Sequence, residues 1–303
     1  MDDIADFAIR VAILLLPTIA VVAICMVLER RWPAASANRG DRLQNIKVWI
    51  AYLAGQILLA PALGGFTTLA VNAVGGGLIE LPSTGWGLAA GVLAYLVAMD
   101  FGEYLFHRAQ HAIPALWEMH SLHHSDPELD ATTTGRHFWF DPLLKTITIW
   151  LAVGLLFKAS PLIVAVYSGV TFYNFLTHAN LRLGFGKASW IWNSPQYHRL
   201  HHAAAPEYYD CNYAALLPIF DVMFGSYRKP RPDEFPATGL ASGVAPESLT
   251  EAVLWPAVKA RRSVGGQSNY AAARGGGEGR WGRGTGDSLS APTPLAGAGS
   301  GAG

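Results

Sequence analysis

Three stretches of this chain carry no charged residue: 11–28, 48–79 and 81–99. A helix crosses the hydrocarbon of a bilayer in about 20 apolar residues. Lipid offers backbone groups no water, so only helices and closed barrels span it. The runs therefore predict transmembrane helices, with spans at about 8–28, 47–73 and 86–106. Pro61, Gly64 and Gly65 interrupt the second run. Residues 146–157 and 159–181, parted by Lys158, read as two shorter helices turned at "KASP", a hairpin that dips into the bilayer. Only 15% of the 303 residues are charged, against 51% hydrophobic. Soluble domains usually carry about 25% charged residues, so the shortfall also points to lipid.

The first run is read as a retained anchor. Ala35-Ser36-Ala37 mimics a cleavage site, but the start is acidic (Asp2, Asp3, Asp6) where a signal peptide is basic. The loop 29–47 holds Arg30, Arg31, Arg39, Arg42 and Lys47, while 73–86 holds no basic residue. The positive-inside rule puts 29–47 in the cytoplasm. The third span then returns to the cytoplasm near His107, on the inner membrane if the source is bacterial. Net formal charge is zero, which gives no footprint for nucleic acid. Cys25 and Cys211 are too few for a disulfide framework.

All ten histidines fall between 107 and 202. His107 and His111 are four apart and share one helical face. "HSLHH" supplies His120, His123 and His124, and "HRLHH" repeats the spacing with His198, His201 and His202. His178 stands four residues after Asn174, which can place an amide and an imidazole on one face. Each set aims two or three nitrogens at one point, and nine imidazoles suit two metal ions better than one. Imidazole serves zinc, copper, iron and nickel alike. A lone histidine on an apolar face is usually a hydrogen-bonded core residue; two copies of one spacing beside two further pairs are not explained that way. His137, after Arg136, belongs to no set and is assigned a supporting role. Asp100 and Glu103 lie seven and four residues before His107 on its face, and with Asp210 they are candidates to accept the second N–H of a ligand imidazole. The fold expected is an all-α integral membrane protein whose transmembrane helices carry a cytoplasmic helical cap with a histidine-rich dinuclear metal site.

The segments "DFGEYLFHRAQH", "LWEMHSLHHSDPELDATTTGRH", "NFLTH" and "WNSPQYHRLHHAAAPEYYDCNYAALLPIFDVMFGSY" resemble the fatty acid hydroxylase superfamily, also called the sterol desaturase family. The resemblance covers roughly 90–228. It implies that His107, His111, His120, His123, His124, His178, His198, His201 and His202 bind two iron ions of a non-haem di-iron centre that uses oxygen to hydroxylate or desaturate a lipid. Asn174 stands where some members have another histidine, so a direct, water-mediated or absent role in binding stays open. Zinc has no accessible redox step, which agrees with iron for C–H cleavage. The sequence shows no cysteine cluster, no G-x-G-x-x-G opening a βαβ unit and no "HPGG" haem signature. An external electron donor is therefore expected: a separate reductase, ferredoxin or cytochrome.

Two other classes use histidines in membranes. A metal transporter places its ligands near the bilayer midplane in broken helices, whereas these boxes follow spans. A membrane zinc hydrolase needs a general base such as the Glu of H-E-x-x-H, which is missing. The chain divides into a transmembrane region (1–89), a catalytic domain (90–230), a C-terminal segment (231–261) and a Gly/Ala-rich tail (262–303) expected to be disordered because it cannot bury enough to offset ordering.

Overall fold

The structure, a computed structural model, describes residues 2–36 and 39–265 and is mostly helical. The tail from 266 onward, expected to be disordered, lies outside the described residues. Helices α1 (Asp2–Arg31), α2 (Arg39–Ala73) and α3 (Gly85–Ala112) contain the three predicted spans. Among the described residues one helix, α3, is long and apolar enough to cross a membrane. Segments 42–59 and 61–73 of α2 pass the same test only together, bent by 50° at the position of Pro61. A proline there removes a backbone donor and crowds the preceding turn.

Helix α4 (Pro114–His124) turns back directly from α3, with Pro114 at its first position. A short 3₁₀ turn at Ala131–Gly135 follows, and Gly135 lies so close to the Trp49 ring that a Cβ would collide with it. Helix α5 (Asp141–Lys145) runs through a π-helical turn, Thr146–Trp150, into α6 (Leu151–Leu156). The "KASP" break is present. Phe157–Lys158 pairs in parallel with Ile79–Glu80, and Ser160 caps α7 (Pro161–Thr171) by accepting from the Ile163 N–H. Helix α8 (Tyr173–His178) follows, then α9 (Pro195–His201), α10 (Ile219–Phe224), α11 (Leu249–Val253) and α12 (Trp255–Gly265).

An apolar cluster of Tyr95, Met99, Phe106, Ile149, Ile163 and Tyr167 joins α3 to the 146–171 hairpin. Other joints are polar and buried. Glu29, at the end of α1, accepts from the Ala131 and Asn180 N–H groups and pairs with Arg42, which also pairs with Asp130 at 2.6 Å. Arg136, almost fully buried, donates to the Leu122 carbonyl, to Ser125 and to Asn45 of α2. A guanidinium at the last carbonyls of α4 suits both their unfilled acceptors and the helix dipole. These bonds fix α4, which carries three of the clustered histidines, against α2.

Candidate metal centre

Four elements bring the imidazoles together: α3 (His107, His111), α4 (His120, His123, His124), α8 (His178) and α9 with its C-cap (His198, His201, His202). They sort into two groups. His107, His111, His120, His124 and His201 form one, and His123, His178, His198 and His202 the other. Within each group one ring nitrogen per residue lies within 4.8 Å of all the others. The adjacent repeats in sequence are thus split: each H-x-x-H-H box feeds both groups. The His124 and His202 rings stack at 4.4 Å and 16° across the divide.

Inside the groups the Nε2 atoms face one another. The separations are 3.0 Å for His107–His120, 3.2 Å for His111–His124, 3.1 Å for His123–His178, 2.9 Å for His178–His198 and 3.2 Å for His198–His202. Two ligands held about 2.1 Å from one ion at a right angle lie roughly 3.0 Å apart. The Nε2 of His201 is buried with no hydrogen-bond partner. A buried polar atom without a partner is costly, and a cation would satisfy it.

The opposite nitrogens explain why the rings point inward. His107 Nδ1 donates to the Tyr213 carbonyl at 2.7 Å, His178 Nδ1 to that of Asn174 at 2.7 Å, and His201 Nδ1 to that of Cys211 at 2.8 Å. A carbonyl only accepts, so the proton sits on Nδ1 and the Nε2 lone pair faces the group. Burial lowers the His201 pKa to about 4 despite that bond, and drives His120, His123, His124, His198 and His202 well below the ordinary value. All are held neutral, the ligand form. Nine imidazoles in two sets fit two borderline metal ions such as iron or zinc.

The Cys211 and Tyr213 carbonyls are aimed by a loop. Asp210 and Asn212 adopt left-handed backbone (φ 56° and 59°), tolerated by Asx residues. The Asn212 side chain bonds the Tyr197 and Arg228 backbone. Asp221 accepts from the Tyr213 and Ala214 N–H groups, the Tyr197 hydroxyl and Ser226.

The expected carboxylate acceptors behave differently. Asp100 reaches no imidazole: its oxygens accept from the Leu216 and Leu217 N–H groups at 3.0 and 2.9 Å. Glu103 pairs with Lys145 at 2.7 Å in a cavity wall. Helical phase put both on the His107 side, but chain segments remote in sequence took their charge. Asp210 lies 3.8 Å from His111 Nδ1, beyond hydrogen-bond range, and accepts from the Tyr213 hydroxyl. His137 stacks flat on His123 at 4.4 Å and stands 3.4 Å from Asp141, which the sequence reading passed over. His120, His137 and Asp141 form a third close group. The Asn174 carbonyl serves His178, while the residue itself lines the cavity. Main-chain carbonyls as acceptors carry no residue-type signal, so no motif announces them.

A cavity of about 530 Å³ opens beside His107, His120, His123, His178 and His198, between α2, α3, α5 and α7. Residues 92–226 match the family model "Fatty acid hydroxylase". The chain is 27% identical to the ornithine lipid hydroxylase OlsE of Rhizobium tropici, over 83% of this chain and 77% of that protein. It is 34% identical to the alkylglycerol monooxygenase of Xenopus tropicalis, over 50% of this chain and 32% of that protein. It is 28% identical to the Delta(7)-sterol 5(6)-desaturase ERG3B of Gibberella zeae, over 49% and 45%. The chain thus spans less than half of the last two. No solved structure matches it. The matched segment encloses both imidazole groups, so the stretch that holds the candidate centre is the part of the chain that matches the fatty acid hydroxylase family.

Proposed function

We propose that this protein is a membrane-bound, oxygen-dependent di-iron oxidoreductase that hydroxylates or desaturates a lipid. The observation that carries the reading is the sorting of nine imidazoles into groups of five and four with inward Nε2 atoms. His107, His111, His120, His124 and His201 would hold one ion; His123, His178, His198 and His202 the other. Two irons supply the redox capacity for oxygen-dependent C–H cleavage, which zinc lacks. The residues of the chain do the rest. The carbonyls of Cys211, Tyr213 and Asn174 hold three imidazoles in the ligand tautomer. The cavity admits the substrate at the imidazole edge. Electrons come from a separate reductase, ferredoxin or cytochrome.

The membrane setting rests on exposed apolar faces. Ile24 on α1, Leu58 and Leu69 on α2 and Leu93 on α3 all stand more than half exposed. Such a surface is an aggregation hazard in water and a normal one in lipid. Three spans, with the imidazole cap on the cytoplasmic side, agree with the basic loop at 29–47. Domains at 1–89, 90–230 and 231–261, with a dispensable tail at 262–303, agree with composition. The relatives' names support a lipid as substrate, and the imidazole count favours this reading over transport or zinc hydrolysis.

Two measurements on one preparation test the proposal. Lipids extracted from cells with and without the gene are compared by mass spectrometry for an added oxygen or a lost hydrogen pair. Purified protein is assayed for iron. An unchanged lipid profile, or turnover by protein devoid of metal, overturns it. Zinc in the purified sample does not, because zinc outcompetes ferrous iron for imidazole.

A further inference from the structure

Of the five buried aspartates among the described residues, four are well supplied with donors. Asp100 accepts from Leu216 and Leu217, Asp126 from Asn45 and Thr133, Asp130 from Thr132 and Arg42, and Asp221 from Tyr213, Ala214, Tyr197 and Ser226. Asp141 is the exception. It is 2% exposed, and both its carboxylate oxygens are buried with no hydrogen-bond partner. Two further buried atoms nearby share that condition, Nδ1 of His120 and Nδ1 of His137. His137 comes within 3.4 Å of Asp141 without forming a hydrogen bond to it. A buried carboxylate with neither oxygen bonded carries its full desolvation cost. Three parts of the chain converge here: α4 brings His120, the strand of chain after the 3₁₀ turn at Ala131–Gly135 brings His137, and α5 opens on Asp141. The His137 ring is set by its stacking on His123 at 4.4 Å and by the Tyr52 ring at 5.6 Å.

We propose that His120, His137 and Asp141 bind a third divalent metal ion, beside the five-imidazole group and apart from the two ions assigned above. The three residues each offer one ligand atom within 4.8 Å of the others. Ligands about 2.1 Å from one ion stand up to about 4.2 Å apart, so small side-chain rotations close the set. Two imidazole nitrogens and one carboxylate oxygen suit ferrous iron or zinc and leave coordination positions open. His120 can serve two ions because its nitrogens face different ways: Nε2 meets His107 Nε2 at 3.0 Å inside the five-imidazole group, and Nδ1 has no partner there. Binding through both nitrogens releases the Nδ1 proton to solvent and makes the ring a bridge between the third ion and the first. The site is reached from the cavity of about 530 Å³, which His120 and His137 both line. Three donors hold an ion less firmly than four or five, and the His137 side chain stays 20% exposed. The third ion therefore exchanges with the medium while the other two stay.

The test uses the full-length protein in neutral detergent under anaerobic conditions. It is loaded with Fe(II), dialysed, and then titrated with Fe(II), with bound iron read by equilibrium dialysis and elemental analysis. Dialysed protein is expected to keep about two ions per chain, and free Fe(II) to add a third, weaker one. Asp141→Asn and His137→Gln should each abolish the third while keeping the firmly held pair. Asp233→Asn, at an exposed carboxylate paired with Arg182, should keep all three. Wild-type protein that saturates at two ions overturns the proposal and leaves water to satisfy the four atoms. A third ion that survives both Asp141→Asn and His137→Gln is an adventitious ion only, and overturns it as well. Loss of the firmly held pair in these variants, with no weak ion in the wild type, would show that Asp141 and His137 only support the five-imidazole group. The wild-type titration decides even where a variant fails to fold. The site does not depend on the reaction assigned to the protein: three bound ions in a sample that never oxidises lipid would keep this site and sink the oxidase reading alone.

Discussion

Asp100, on the third long helix, accepts the Leu216 N–H at 3.0 Å, 116 residues away in sequence. With the Leu217 bond, this ties α3 to the far end of the loop whose Cys211 and Tyr213 carbonyls orient His201 and His107. The carboxylate is connected to the imidazoles only through the chain between.

Asp100→Asn leaves an oxygen for one of the two N–H groups and turns an amide NH₂ toward the other. The variant is expected to lose about 1–3 kcal/mol of stability, the range for an unsatisfied buried donor. Iron affinity should fall by about tenfold or more as the loop loosens. Thermal unfolding and iron titration check both. Wild-type values for each would show that the loop does not need the tie.

The two imidazole groups predict separable occupancy. His201→Ala should lower metal content from about two ions per chain toward one, and His198→Ala should do the same through the other group. Elemental analysis reads the ratio. Full occupancy in either variant would remove that histidine from the ligand set.

The buried imidazoles predict acid sensitivity of the metal-free protein. His120, His123, His124, His178, His198, His201 and His202 have folded-state pKa values below the unfolded value near 6.5, so the unfolded chain binds more protons in between. Their contribution is fully present above pH 6.5 and is lost as pH falls toward about 4, the value for His201. Stability should drop by up to about 1.4 kcal/mol per pH unit for each such ring. Denaturation of apoprotein across that window, with midpoints independent of pH, would contradict the burial.

Arg42 serves Glu29 and Asp130, both nearly inaccessible. Arg42→Met leaves two carboxylates facing each other without a cation and should cost about 3–5 kcal/mol. Arg42→Lys, which reaches one of them, should cost less. Unfolding of detergent-solubilised protein ranks the two, and equal stability across all three would show the network to be incidental.

The sequence by itself determined the helical character, the uncharged runs and the nitrogen donors. Charge-free length is a one-dimensional property, and H-x-x-H-H on a helix fixes a common face by period alone. Only the tertiary structure decided which imidazoles share a group, because each box is divided between two groups by neighbours on other helices. It also decided what Asp100 and Glu103 do. Helical phase gives a side chain's direction but not its partner, and the partners here, Leu216 and Lys145, arrive from distant parts of the chain. The imidazole acceptors were beyond sequence reading for a deeper reason: every residue carries a carbonyl, so only the path of the backbone, bent at Asp210 and Asn212, selects the ones that count.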